Sequence, residues 1–290
     1  MSHDIHLAVI GGSGLYRMPG LSDVERIAVE TPYGSPSSPV VVGTLAGRRV
    51  AFLARHGEGH MLPPAAIPQR ANLYALKTLG VRYIIGVNAC GSLREDFAPG
   101  DLVVPDQVFD YTIGRRDRSF FDENIVAHVS VADPFDRALA QQLAASARAV
   151  GAVVHPQATF IVEDGPRFAT RAESRIFKSW GCDIIGMTSV PEVFLAREAE
   201  MAYATLAHIT DYDSWRPAEE GVTADMVMAT FRENIARVEK TLAHAIEHFD
   251  ASLPAPAHTA LDGAIMTHLS EATTPSAQRL APLLRRVLNR

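Results

Sequence analysis

His6-Leu7-Ala8-Val9-Ile10, followed directly by Gly11-Gly12-Ser13-Gly14, is a short apolar run that ends in a glycine loop. Such a run predicts a buried strand feeding a tight turn. Val40–Val42, Arg49–Leu53, Tyr83–Val87 and Asp101–Val104 read the same way. Between and after them lie stretches with helical spacing and few breakers: Gln69–Leu79, Arg137–Val150, Ala169–Lys178, Pro191–Met201 and Ala224–Phe249. Strands alternating with helices predict an α/β protein with a largely parallel or mixed sheet. The glycine loop lacks the third glycine of a dinucleotide fingerprint, and no Gly-Lys-Ser/Thr follows as in a nucleotide-triphosphate loop. It reads either as a plain turn or as backbone amides converging on an anion.

Composition narrows the class. The 290 residues are 47% hydrophobic and 21% charged, which suits a sizeable core. A net charge of -6 lacks the basic footprint of nucleic-acid binding. No apolar run approaches the ~20 residues of a membrane span. The start, Met1-Ser2-His3-Asp4, has no signal-peptide pattern, and the sparse Cys90 and Cys182 read as reduced thiols. These features predict a cytoplasmic protein. No metal spacing is present and no cofactor is expected. Ser252–His258 reads as a surface connection to a C-terminal helical segment, whose basic end, Arg285, Arg286 and Arg290, reads as solvated.

Four further stretches, together with Phe168 and His128, carry candidate chemistry. Ile209-Thr210-Asp211-Tyr212-Asp213-Ser214-Trp215 sets two carboxylates two residues apart. On a strand, Asp211 and Asp213 would face one side together. Such a pair suits purine N7 and an exocyclic 6-amino group; the bland alternative is two turn-forming aspartates. Arg55-His56-Gly57 follows a strand: the guanidinium fork suits phosphate oxygens and His56 adds a second donor. In Asn88-Ala89-Cys90-Gly91-Ser92 small residues either expose backbone amides to a ligand or make a plain turn; Cys90 reads as a buried small hydrophobe. Thr188, in Gly186-Met187-Thr188-Ser189, either caps a helix or binds an anion. Met187 and Phe168 pack either in the core or on a ligand, and His128 alone reads as structural.

Taken together, these pieces resemble the 5′-methylthioadenosine phosphorylases, in the trimeric branch of the purine nucleoside phosphorylases. Ile10–Gly14, Thr31–Gly34, Arg55–Gly57, Asn72–Leu76, Ala89–Leu93, Pro99–Asp101, Gly165–Phe168, Arg171–Ser174, Met187-Thr188, Pro191-Glu192, Ala196–Glu198 and Thr210–Asp213 carry it, over roughly residues 5–245. The resemblance implies one phosphorylase domain over 1–250, with a central twisted mixed sheet flanked by helices. It implies a C-terminal helical extension over 251–290, packed on the same domain or on a neighbouring subunit. It implies reversible phosphorolysis of S-methyl-5′-thioadenosine in purine and methionine salvage, by a homotrimer, with inorganic phosphate as co-substrate. Ser13, Arg55, His56, Asn88, Ala89 and Thr188 would hold phosphate, Asp211 would donate to N7 or share a proton with it, Asp213 would help recognise the 6-amino side, and Tyr212 would meet the base. Phe168 would pack near the base, Met187 on ribose, and His128 in a neighbour's 5′ pocket. Desolvation and the neighbouring Asp213 would push the Asp211 pKa upward. Ser13 and Asn88 stand where many relatives have Thr. The competing readings are a 6-oxopurine nucleoside or methylthioinosine phosphorylase, a hydrolase using water in place of phosphate, and a non-catalytic nucleoside-binding module.

Overall fold

The structure is a computed structural model that describes residues 5–12, 15, 18–114, 116–216, 223–252, 254–268 and 274–288. The first half of the chain runs β1 (Leu7–Gly11), β2 (Ser22–Ile27), β3 (Val40–Leu45), β4 (Arg48–Ala54), α1 (Gln69–Thr78), β5 (Tyr83–Ser92), β6 (Leu102–Val103), β7 (Gln107–Tyr111) and α2 (Arg137–Ala149). The second half runs β8 (Val154–His155), β9 (Thr159–Glu163), α3 (Arg171–Ser179), β10 (Ile184–Gly186), α4 (Ser189–Glu198), β11 (Ala202–Asp211), α5 (Ala224–Glu247) and α6 (Thr274–Leu288). Among the described residues the strands form one mixed sheet in the order β2-β3-β4-β1-β5-β10-β9-β7, with β11 against β5 and β6, and β8 against β6.

Why the central strands are apolar throughout follows from their two covered faces. In β1, Ala8 and Ile10 point into one apolar cluster, while Leu7 and Val9 point into another. The first cluster includes α1, α4 and α6 side chains such as Leu73, Val193 and Leu284. The second includes Leu139 and Leu143 of α2 and Val238 and Leu242 of α5. Helices therefore cover both faces of the sheet.

Four findings differ from the sequence reading. First, β5 does not stop at Val87 and no turn follows. The stretch Asn88–Ser92 continues the strand, parallel to β11 and, at Gly91 and Ser92, antiparallel to β10. Second, β11 ends at Asp211 after a register shift between Ile209 and Asp211, and Asp213 lies beyond it with φ +48°. The two aspartates therefore do not share a strand face by period two. Third, five strands carried no clear signal: β2 is an exposed edge, and β7 to β10 have at most five residues each. Fourth, of the described residues of the basic end, Arg285 is exposed but Arg286 is not, and Arg290 lies outside the described residues. Arg286 Nε donates to Glu200 Oε2 at 2.7 Å and its Nη2 reaches Asp262 Oδ1 at 2.6 Å. This clasp joins α6 to the end of α4, with Leu280, Leu283 and Leu284 beneath it.

Candidate functional site

One strand collects the candidate residues. Along β5 every side chain from Tyr83 to Ser92 is shielded except those of Ala89, which is exposed, and Gly91. A methyl group is all that separates the backbone from open space at Ala89.

At one end of this stretch stands Arg55, just past β4 and 2% exposed. Its Nε donates to Glu192 Oε2 and its Nη2 to Glu192 Oε1, both at 2.8 Å. Nη2 also reaches the Ile10 carbonyl at 3.2 Å, and Nη1 the Val87 carbonyl at 2.8 Å. The guanidinium has five N–H groups in all. The fork predicted for phosphate is thus occupied by a carboxylate, and a single Nη1 hydrogen remains for a ligand. Glu192, the first-turn acid of α4, is fully buried. In sequence, a Glu at that position reads as a partner for the helix dipole, so its pairing with Arg55 left no signal.

Next along the strand, Asn88 Nδ2 donates to Thr188 Oγ1 at 2.8 Å. Thr188 occupies the N-cap position of α4 but makes no capping bond with its side chain. Its hydroxyl accepts from Asn88, so its own proton points elsewhere and the capping role open in the sequence is not taken. Gln69 Nε2 fixes the Thr188 carbonyl at 3.2 Å. Asn88 Oδ1 is buried with no hydrogen-bond partner. His56 holds the Leu62 carbonyl through Nδ1 at 2.8 Å and stacks on His60. Burial pushes its pKa down to about 4, so the ring is neutral and Nε2 is an acceptor. The second donor expected of His56 is therefore absent at neutral pH. Ser13 lies outside the described residues.

At the other end, Asp211 and Asp213 converge on Gly91. A Cβ there would lie 3.1 Å from Asp211 Oδ1 and from Asp213 Cβ, so only glycine fits without a shift. Asp211 Oδ2 accepts from Thr210 Oγ1 at 2.7 Å, and its Oδ1 from the Asp213 N–H at 2.8 Å. The Ser174 hydroxyl donates to Asp213 Oδ2. Ser174 is delivered by α3, whose start is fixed by a capping box between Thr170 and Glu173. Burial, offset by Ser174 and reinforced by Asp211, pushes the Asp213 carboxyl up to about 6. Glu163, at the end of β9, is pushed up to about 7 by burial and then by Asp213. Glu163 has no mark in the sequence, and Ser174, although it ends a matched segment, has none for its bond to Asp213, because nothing local marks a side chain brought in from another element.

The two ends lie along one strand. Arg55 is bonded at Val87 and Asp211 sits opposite Gly91 in the register, a separation of roughly 13 Å at the rise of a strand. Between them the buried Cys90 thiol, pushed up by burial, feels both the Asp211 carboxylate and the Arg55 guanidinium. Met187 packs on Gly165: its Sδ lies 2.5 Å from where a Cβ would stand, and the φ of +63° there also demands glycine. Phe168, three residues on, is half-buried. Tyr212 lies under Arg216, whose Cζ is 3.3 Å from the ring centroid. His128 stands on an exposed segment, its N–H bonded to Ala264, beside a recess of about 460 Å³ shared with Ser119, Phe194 and Glu198. Among the described residues no hydrogen bond links it to the β5 cluster.

The raised Glu163 carboxyl gives a pH test. Its folded pKa lies above its unfolded value, so the folded state holds the extra proton, and stability falls as pH rises from about 4.5 to about 7. Glu163→Gln removes that loss. The melting temperature of Glu163→Gln minus that of the parent is expected to grow from pH 5 to pH 8; a constant difference in thermal melts would contradict the assignment.

Comparison with known proteins places the chain. The family model described as the phosphorylase superfamily matches residues 6–249. The S-methyl-5′-thioadenosine phosphorylase of Chloroflexus aurantiacus is 49% identical, over 97% of this chain and 98% of that one. The crystal structure of a methylthioadenosine phosphorylase from an Antarctic soil metagenomic library superposes with a TM-score of 0.93 at 44% identity, covering 97% of this chain and 99% of the other. A mutant adenosine/methylthioadenosine phosphorylase of Schistosoma mansoni, solved with methylthioadenosine, gives a TM-score of 0.75 at 38% identity over 84% and 91%. With the site geometry and these likenesses in hand, the chain belongs to the methylthioadenosine phosphorylase family of the phosphorylase superfamily.

Proposed function

We propose that the protein catalyses the reversible phosphorolysis of S-methyl-5′-thioadenosine to adenine and 5-methylthioribose 1-phosphate. The observation that carries this reading is the placement of an anion-binding end and a paired-carboxyl end on the single strand β5. The names of the Chloroflexus and metagenomic relatives support the substrate, as does the methylthioadenosine bound by the Schistosoma protein.

Phosphate lies at the Arg55 end, held by the remaining Arg55 Nη1 hydrogen, the Thr188 hydroxyl, the backbone at Asn88 and Ala89, and Ser13. Asn88 aims the Thr188 proton at the anion. Neutral His56 accepts a hydrogen from a protonated phosphate oxygen through Nε2. An anion so placed stabilises the positive charge that builds on C1′ as the glycosidic bond stretches. At the far end Asp211 delivers a proton to N7 as the purine leaves. The Thr210 hydroxyl and the Asp213 N–H then hold the Asp211 carboxylate. Asp213 Oδ1, which has no hydrogen-bond partner among the described residues, accepts from the 6-amino group. Met187 packs on the ribose, and Phe168 and Tyr212 flank the base. Phosphate is a co-substrate and no cofactor takes part. In a homotrimer, His128 and its recess meet a neighbouring subunit at its 5′-substituent pocket. The enzyme then serves purine and methionine salvage in the cytoplasm.

Adenine release from methylthioadenosine, measured with and without phosphate, tests the reading. Strict dependence on phosphate is expected. Equal rates in both conditions indicate a hydrolase, faster inosine cleavage the 6-oxopurine branch, and no turnover of any nucleoside a binding module. Asp213→Asn is expected to relax the preference for 6-amino over 6-oxo purines, because a carboxamide can also donate to a 6-oxo group. A parental adenosine-to-inosine ratio in that variant would remove Asp213 from base recognition.

A further inference from the structure

Resting on the phosphorolysis reading, we propose that Tyr203 is a positioning residue for phosphate: its hydroxyl, acting through Glu192, sets the aim and the effective charge of Arg55.

Tyr203 is 2% exposed, inside β11, opposite Ile84 of β5. Its hydroxyl donates to Glu192 Oε1 at 2.6 Å, the same oxygen that takes Arg55 Nη2. The ring passes over Gly86. A Cβ at that residue would fall 2.0 Å from the Tyr203 hydroxyl and 3.4 Å from Arg55 Nη2. The glycine is thus the opening through which a tyrosine on one strand reaches a carboxylate on α4. A phenylalanine would fill the same apolar space; only the hydroxyl needs the carboxylate.

Two consequences reach the anion. The first is geometric. Arg55 keeps one Nη1 hydrogen for a ligand, and the guanidinium plane is fixed by its two bonds to Glu192. A Glu192 carboxylate whose Oε1 is also held by Tyr203 resists turning, and so does the fork. The second is electrostatic. In a buried site a carboxylate at 2.8 Å cancels most of the guanidinium charge that phosphate feels. A hydrogen bond from Tyr203 draws on the charge of Glu192 and leaves more of the Arg55 charge for phosphate. Burial and Glu192 hold the Tyr203 phenol well above its usual range, so the donor proton stays in place at working pH. None of this touches the nucleoside end of β5.

The test is initial-rate kinetics on Tyr203→Phe with phosphate and methylthioadenosine varied separately. Tyr83→Phe serves as the control; its hydroxyl bonds the Ala251 carbonyl at 2.9 Å, on another face of the sheet. In Tyr203→Phe the KM for phosphate is expected to rise about tenfold, the scale of one hydrogen bond to a charged group, with the KM for the nucleoside unchanged. Gly86→Ala, whose methyl displaces the hydroxyl, is expected to show the same phosphate-selective loss, and it decides the matter if Tyr203→Phe cannot be purified folded. Tyr83→Phe is expected to leave both constants unchanged. An unchanged phosphate KM overturns the proposal. So does a parallel rise in both constants, which marks a structural role only. A parental enzyme whose turnover ignores phosphate instead overturns the phosphorolysis reading itself.

Discussion

Asp211→Asn gives a folded protein whose turnover of methylthioadenosine falls by about 10²- to 10⁴-fold, the usual contribution of a positioned general acid. The fold survives because the substitution is nearly isosteric. The carboxamide oxygen still accepts from the Asp213 N–H, and its amide group can donate to Thr210 Oγ1. What is lost is the proton for N7. The loss belongs to the transition state, so kcat and kcat/KM fall together while nucleoside binding changes little. Parental turnover in a folded variant, verified by its melting curve, would take Asp211 out of the mechanism. Cys90, the nearby thiol, gives no substitute acid or nucleophile: burial pushes it far up, and the adjacent carboxylate pushes it further.

Glu192→Gln has the second large effect, on stability. Arg55 is 2% exposed and Glu192 fully buried, and their bidentate pair joins β4, β1, β5 and α4 through the Ile10 and Val87 carbonyls. Removing one partner leaves a desolvated guanidinium without its counter-charge, at a cost of about 3–5 kcal/mol. In a chain of this size that lowers the melting temperature by on the order of 10 °C. Phosphate supplies the missing negative charge, so adding it is expected to raise the melting temperature of Glu192→Gln more than that of the parent. Thermal melts with and without phosphate check both statements. A variant as stable as the parent would show that the pair is not held as described.

The sequence made the central fold legible because burial on two faces leaves a strong mark. The apolar run into Gly11 and the repeats along α1, α2 and α5 need little context. The edge strand β2 left no such mark, since most of its side chains face water. Asp211, Asp213, Arg55 and Thr188 could be picked out because each sits at the end of a strand or the start of a helix, where open α/β sheets place ligands. Their partners could not. Glu192 pairs with a residue 137 positions away, and Ser174 with one 39 positions away. Both partners lie in helices, where polar residues are ordinary. The geometry of the aspartates departs from strand alternation for a related reason. A register shift and one residue with positive φ bring them together, and period-two alternation cannot foresee either.

The Val87–Gly91 portion of β5 works as a ruler. A covalent backbone held along β11 throughout, and by β10 at Gly91, does not stretch, so the spacing from the Arg55 end to the Asp211 end is the same for any guest. A molecule bridging both ends must match that length, and chemical variety can enter only sideways, where the wall is built from side chains. Changes of substrate within this scaffold are therefore expected to arise from replacements around Met187, Phe168 and the flanking loops, leaving the strand itself untouched.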